Sequence, residues 1–174
     1  FISLCNGTLL SFDFSHEEKN KISIENFNYK KEKNLAKKNS LNFLNHALAS
    51  GGFSLEISEN YKLKKPLVIY NNFSNSLKET IVNYKNSIIV NEKSELNLIN
   101  YIDNSSKENF MVNIIENIKI KENSSLKNIL INNSKCNGYF YKYAKSDLDK
   151  NSNFENYLIS SGLKFNKLDI EINL

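Results

Sequence analysis

Along most of this chain the apolar residues alternate with polar ones or come in short runs rather than recurring at a helical interval. "FSLEI", "LVIY", "SIIV", "LNLINYI", "VNIIENIKI", "LKNILI", "YFYKYA", "FENYLIS" and "KLDIEINL" are rich in Ile, Val, Tyr and Phe and are separated by Asn, Ser, Lys and Glu. That texture predicts strands. The last run alternates strictly, with Leu168, Ile170, Ile172 and Leu174 on one face and Lys167, Asp169, Glu171 and Asn173 on the other, so one face is expected to be buried and the other wet. Near the start, "FISLCNG" predicts a short strand closed by an Asn6-Gly7 turn, because that pair tolerates positive φ. The stretch "LLSFDFSHEEKNKISIENFNYKKEK" predicts a charged, irregular connection. One helical stripe stands out: Leu41, Leu44, Ala47 and Leu48 fall at i, i+3, i+6 and i+7, with Asn39 or Ser40 as its cap and Gly51-Gly52 as its expected end.

A second, longer period runs through the strands. An apolar residue, a polar turn and another apolar residue recur as Ile57-x-Glu59-Asn60-x-x-Leu63, Val90-x-Glu92-Lys93-x-x-Leu96, Ile120-x-Glu122-Asn123-x-x-Leu126 and Leu148-x-Lys150-Asn151-x-x-Phe154. The offsets are 33, 30 and 28 residues. One coil of a β-solenoid per period accounts for this, since a single coil cannot bury its apolar face and a stack of coils can. The turns then align on one corner. An antiparallel sandwich is the competing architecture, but the chain beyond Gly52 has few of the Gly-rich two-residue loops such a fold uses. The expected class is therefore mainly β: a β-solenoid over residues 53–174, preceded by a strand, an irregular connection and an amphipathic helix over residues 1–52.

Composition narrows the function. With 174 residues the chain suffices for one sizeable core. All 23 Lys+Arg residues are lysine, and Asn occurs 31 times, a bias that A/T-rich coding produces and that drains information from charge runs. It also multiplies Asn-x-Ser/Thr sequons, at Asn6, Asn72, Asn104, Asn123 and Asn132. Without Arg there is no bidentate reader of guanine or phosphate, which argues against nucleic-acid recognition. No window approaches a membrane span, and no apolar run follows a charged start. Cys5 and Cys136 stand alone, outside any C-x-x-C spacing, which fits a reducing compartment. Cytoplasm is the expected location. The chain starts on Phe1 and stops on a strand, as a piece of a longer protein would.

Few residues invite chemistry. His16 lies in the charged connection and His46 on the helix, neither with a carboxylate or Cys at ligand spacing, so both are expected to be structural. Cys5 and Cys136 fit small core fillers better than reactive thiols. Asp147, Asp149 and Lys150 form the densest polar cluster before a strand; a β-helix lyase would want acidic residues for calcium and a base, but a solvated turn explains the cluster as well. Tyr139, Phe140, Tyr141 and Tyr143 form either a stacking platform or ordinary core and cross-strand packing, and the second is favoured. There is no phosphate loop, nucleophile elbow or metal-ligand cluster.

The order of segments says more than any motif. "FISLCNG", "LNFLNHALASGGFSLEISENYKLKKPLVIY", "NSIIVNEKSELNLINYI", "VNIIENIKIKENSSLKNILI" and "LDKNSNFENYLISSGLKFNKLDIEINL" together resemble the SufB/SufD family of iron–sulfur cluster assembly proteins. Within it the chain looks more like SufD, because SufB proteins usually carry a Gly-Cys pair after the segment matching "NYI" and Asp103-Asn104 stands here. Two departures are visible: the family's Gly-Gly before the last matched strand is Gly162-Leu163, and its Arg is Lys167. The resemblance implies a right-handed parallel β-helix for that solenoid and a scaffold role, without catalysis of its own, beside SufB-like and SufC-like partners. It implies a nascent iron–sulfur cluster handled by the assembled complex and ATP bound by the SufC partner, with no cofactor in this segment. The family's interface Cys and His fall beyond these residues, so no catalytic, cofactor-binding or metal-binding residue is assigned. A secreted β-helix polysaccharide lyase or hydrolase and a plain structural solenoid are the alternatives.

Overall fold

The computed structural model describes residues 1–29, 39–104, 106–133 and 137–174. Two sheets of parallel strands face one another across a narrow bore, wound as a solenoid of about four turns. In the first sheet β1 (Ile2–Cys5), β5 (Leu67–Phe73), β7 (Glu95–Asn104), β9 (Ser125–Asn133) and β11 (Asn153–Ser161) lie side by side. The second is built from β4 (Phe53–Ile57), β6 (Thr80–Val90), β8 (Phe110–Ile120), β10 (Gly138–Leu148) and β12 (Phe165–Asn173). Each strand pairs with the one a coil away rather than with its sequence neighbour, which rules out the hairpin sandwich.

The repeated frame is the corner between the two sheets. Its second turn residue, Asn60, Lys93, Asn123 and Asn151 in successive coils, has φ between 56° and 58°. Asn adopts this left-handed conformation more readily than other non-glycine residues. Corners are bonded to one another: Asn60 N donates to Glu92 O at 2.9 Å, Lys93 N to Glu122 O at 3.1 Å, and Asn123 N to Lys150 O at 3.1 Å. Ser94 and Ser124, buried in the turns, tie neighbouring coils further, Ser94 Oγ donating to Ser58 O at 2.7 Å and Ser124 Oγ to Asn91 O at 2.6 Å. The apolar residues of the frame stack in register, Ile57 on Val90 on Ile120 on Leu148 and Leu96 on Leu126 on Phe154. All of them join one hydrophobic cluster.

The charged connection contains two strands where the sequence pattern predicts irregular chain. β2 (Thr8–Phe12) folds back antiparallel on β1, and β3 (Ile22–Asn26) pairs antiparallel with β4. Each lies at the edge of its sheet and buries little, so the apolar signal is thin: Ile22 is the one buried residue of β3, and β2 has none. Between Cys5 and Thr8 the turn is as expected, Asn6 and Gly7 both having positive φ.

The helix α1 (Ser40–Leu48) is present, with Asn39 as its cap accepting a hydrogen bond from Asn42 N at 3.0 Å. Its apolar stripe faces the protein only in part: Leu41 and Leu44 are half-buried, Leu41 packing near Ile115, Tyr141 and Tyr143, while Ala47 and Leu48 are exposed and Asn42 and Asn45 are the buried residues. Beneath α1 the carbonyls of Tyr84 and Asn113 lie beside those apolar groups and accept from Asn45. Gly51-Gly52 do not end the helix as expected, since Ala49 closes it in an extended conformation. Gly52, at φ +114°, serves instead to pass the backbone over β6, where a Cβ would sit 1.7 Å from Lys85 O.

Candidate functional site

Three surfaces of the solenoid are chemically distinct: the outer face of each sheet and the bore. α1 covers the outer face of the second sheet. Asn45 Nδ2 donates to Tyr84 O at 3.1 Å and to Asn113 O at 2.7 Å, and Asn113 Nδ2 returns a bond to Leu41 O at 2.8 Å. Tyr141 and Tyr143 of β10 lie on this face with Ile115 and Leu41. The Tyr141 hydroxyl accepts from Asn39 Nδ2 at 2.7 Å and is shared between Asn42 Oδ1 and Asp169 Oδ2, at 3.1 and 3.0 Å. Tyr143 donates to Glu171 Oε2 at 2.8 Å. Burial first, then the hydrogen bond and charge of Glu171, holds the Tyr143 hydroxyl above the ordinary tyrosine range; burial does the same for Tyr141, with Asn39 opposing and Asp169 reinforcing.

His46 stands on the covered face, its Nδ1 2.6 Å from Nζ of the buried Lys85. That contact requires the imidazole Nδ1 to accept and the ammonium to donate, a packing arrangement rather than a ligand set. His16 is exposed in the turn before β3. Cys5 is a half-buried free thiol at the end of β1, and Cys136 lies outside the described residues.

Over the first sheet's outer face no helix is packed among the described residues. Tyr70, Tyr101, Ile131 and Ile159 stack in one register column, and Val68, Ile99, Ile129 and Tyr157 in the next. Tyr70, Tyr101, Tyr157 and Ile159 are exposed, and Phe1 meets Tyr70 edge-on at 6.4 Å.

Asp147, Asp149 and Lys150 do not converge on a site. Asp147 points outward from β10 and accepts from Asn173 Nδ2 at 2.7 Å, Asp149 pairs with Lys121 at 3.2 Å across the corner, and Lys150 is an exposed corner residue. The aromatic run splits by strand alternation: Phe140 enters the bore to pack on Phe73 and Phe110, at 5.4 and 5.9 Å between ring centres, while the tyrosines face outward. Among the described residues no group of three or more His, Cys, Asp or Glu is placed to hold a metal ion.

Sequence reasoning missed the bore. Its cross-section has an apolar cluster at the frame corner and an aromatic one, Phe73, Phe110 and Phe140, at the opposite corner. Between them runs a polar seam of buried Asn71, Asn100 and Asn128 from the first sheet and Asn86 and Glu116 from the second. Asn100 Nδ2 donates to Asn128 Oδ1, and Asn128 Nδ2 to Asn156 Oδ1, both at 2.8 Å. Glu116, 1% exposed as a side chain, pairs with Lys142 at 2.5 Å. The charge of Glu116 adds to burial in pushing the Tyr84 hydroxyl far above the usual tyrosine range. The available signal was inward parity: Glu116 and Lys142 occupy the same face of their strands as Ile114, Ile118 and Phe140.

A chain of parallel strands wound in about four turns with bonded corners belongs to the class of β-solenoids. The particular family follows from the sequence of the coils. Residues 72–174 match the profile of the SUF system FeS cluster assembly, SufBD core domain, and the chain belongs to that family. Comparison with curated proteins gives no match. No described helix is long and apolar enough to cross a membrane.

Proposed function

We propose that this protein is a SufD-like scaffold subunit of a SufBCD-type complex, acting in the cytoplasm and without catalysis of its own. The SufBD core match over residues 72–174, which places it in the Suf system of iron–sulfur cluster assembly, carries this reading. Support for SufD over SufB comes from Asp103-Asn104 at the end of β7, where SufB proteins usually carry Gly-Cys. In this reading the nascent cluster is cargo of the complex, ATP binds to a SufC-like partner, and residues 1–52 lead into the β-helix of 53–174 while adding β1 to its first sheet.

The test is co-expression of the full-length tagged protein with the SufB-like and SufC-like proteins of the same source. Recovery of all three in one stable complex is the expected outcome. Recovery of the tagged chain alone would remove the scaffold assignment.

A further inference from the structure

The polar seam contains a built site. A cavity of about 20 Å³ lies in the bore, bordered by Asn86 and Glu116 of the second sheet, Asn132 of the first, and Lys142. Asn86 and Asn132 are 5% and 1% exposed, yet Oδ1 of each has no hydrogen-bond donor. Glu116 Oε1 is held by the Lys142 ammonium at 2.5 Å. The residues that carry the two orphaned amide oxygens and this ion pair thus border one small space. Leaving buried amide oxygens unsatisfied is disfavoured.

The chemistry of the missing donor follows from charge and volume. Lys142 neutralises Glu116, so the chamber carries no net charge to attract an ion. The Lys142 ammonium beside the one carboxylate disfavours a hard divalent cation, which seeks several anionic oxygens. The space holds about one water molecule, and water needs two to four polar partners to be retained. We infer that the seam binds a single internal water, which donates to the two amide oxygens, accepts from the Lys142 ammonium, and so links the two sheets across the bore. The buried ion pair is then part of a hydrated network rather than an isolated pair in an apolar core.

A crystal structure of the intact protein at a resolution that shows ordered solvent tests this directly, with a second crystal soaked in rubidium chloride. The expected result is a solvent peak within hydrogen-bonding distance of Asn86 Oδ1 and Asn132 Oδ1 and no anomalous rubidium signal there. A rubidium peak would replace the water by a monovalent-cation site, and an empty chamber with the amides rotated onto protein donors would overturn the inference. A double-mutant cycle with Asn86→Leu and Asn132→Leu gives an independent reading in solution. A shared water predicts that the unfolding constant of the double variant departs from the product of the single effects by fivefold or more, whereas independent effects would contradict it.

Discussion

The frame-corner cluster and the polar seam share the same strands and stack in the same direction, but they are held together by different physics. At the corner each coil repeats an aliphatic residue over an aliphatic residue, so the energy is the burial of apolar surface and is tolerant of drift in side-chain shape. Along the seam the stack is staggered, Asn100 lying over Leu130 while Leu98 lies over Asn128, and its energy depends on every polar atom finding a partner. The corner makes a solenoid; the seam fixes which coil sits on which, since a slip of one coil would strand Glu116 from Lys142 and Asn100 from Asn128.

The largest expected effect comes from breaking the seam at its charges. Glu116→Ala leaves the Lys142 ammonium in the bore and is expected to destabilise the protein by about 3–5 kcal/mol in denaturant unfolding, whereas the paired change Glu116→Leu with Lys142→Met recovers most of that loss. If the double change is as harmful as the single one, the pair is not the seam's organising contact. At the corner, Leu96→Ala removes a fully buried stack member and is expected to cost about 3 kcal/mol, with Asn97→Ala, on the outer face of the same strand, as the near-neutral control. Equal effects from the two would erase the inside-outside distinction.

A third test uses base. Tyr84, at the border of the seam, and Tyr141 and Tyr143 under α1 all have hydroxyls raised above the ordinary value of 10.0. The folded state then holds protons that the unfolded state releases, so stability is fully present below the unfolded tyrosine value and is lost as pH rises through the folded one. Each of the three contributes a decline of up to about 1.4 kcal/mol per pH unit in that window. Tyr84→Phe should flatten the decline seen by denaturant unfolding; an unchanged slope would place the Tyr84 hydroxyl in contact with solvent. The smallest effect is a gain. Lys93 is the lysine among three asparagines at the left-handed corner position, and Lys93→Asn is expected to stabilise by about 0.5–1 kcal/mol, read as a rise in midpoint. A loss there would mean that the lysine makes a contact worth more than its backbone strain.

The same contrast explains what was legible in the sequence. The corner announced itself because its apolar positions are spaced by a constant turn, and the turn carries Asn where φ is positive. The period therefore pointed to a solenoid. The seam was hard to read because its asparagines look like those of the surface in a chain with 31 of them, and only strand parity, which sets Asn100 on the face of Leu98 and Ile102, marks them as inward. Glu116 and Lys142 are 26 residues apart on neighbouring coils, a distance no window connects. The helix was legible in its period, but the burial of Asn42 and Asn45 was not, because periodicity reports where apolar residues lie and the face beneath α1 also takes hydrogen bonds. β2 and β3 were passed over for the converse reason: as edge strands they bury almost nothing, and propensity alone does not separate them from connection.

For the candidate site, Asp149 and Lys150 lie exposed at the corner turn while Asp147 belongs to β10, and Phe140, Tyr141 and Tyr143 are packed while Tyr139 is exposed. Family membership was legible in the order of whole segments and in no single residue.

The measurement closest to the central claim is cluster loading. The SufB-like and SufC-like partners, purified anaerobically with and without the full-length form of this chain, are compared for bound iron and sulfide after reconstitution with a sulfur donor, iron and ATP. The account predicts transferable cluster on the three-component complex and a severe loss when this chain is left out, restored by adding it back. Undiminished loading in its absence would contradict a scaffold role.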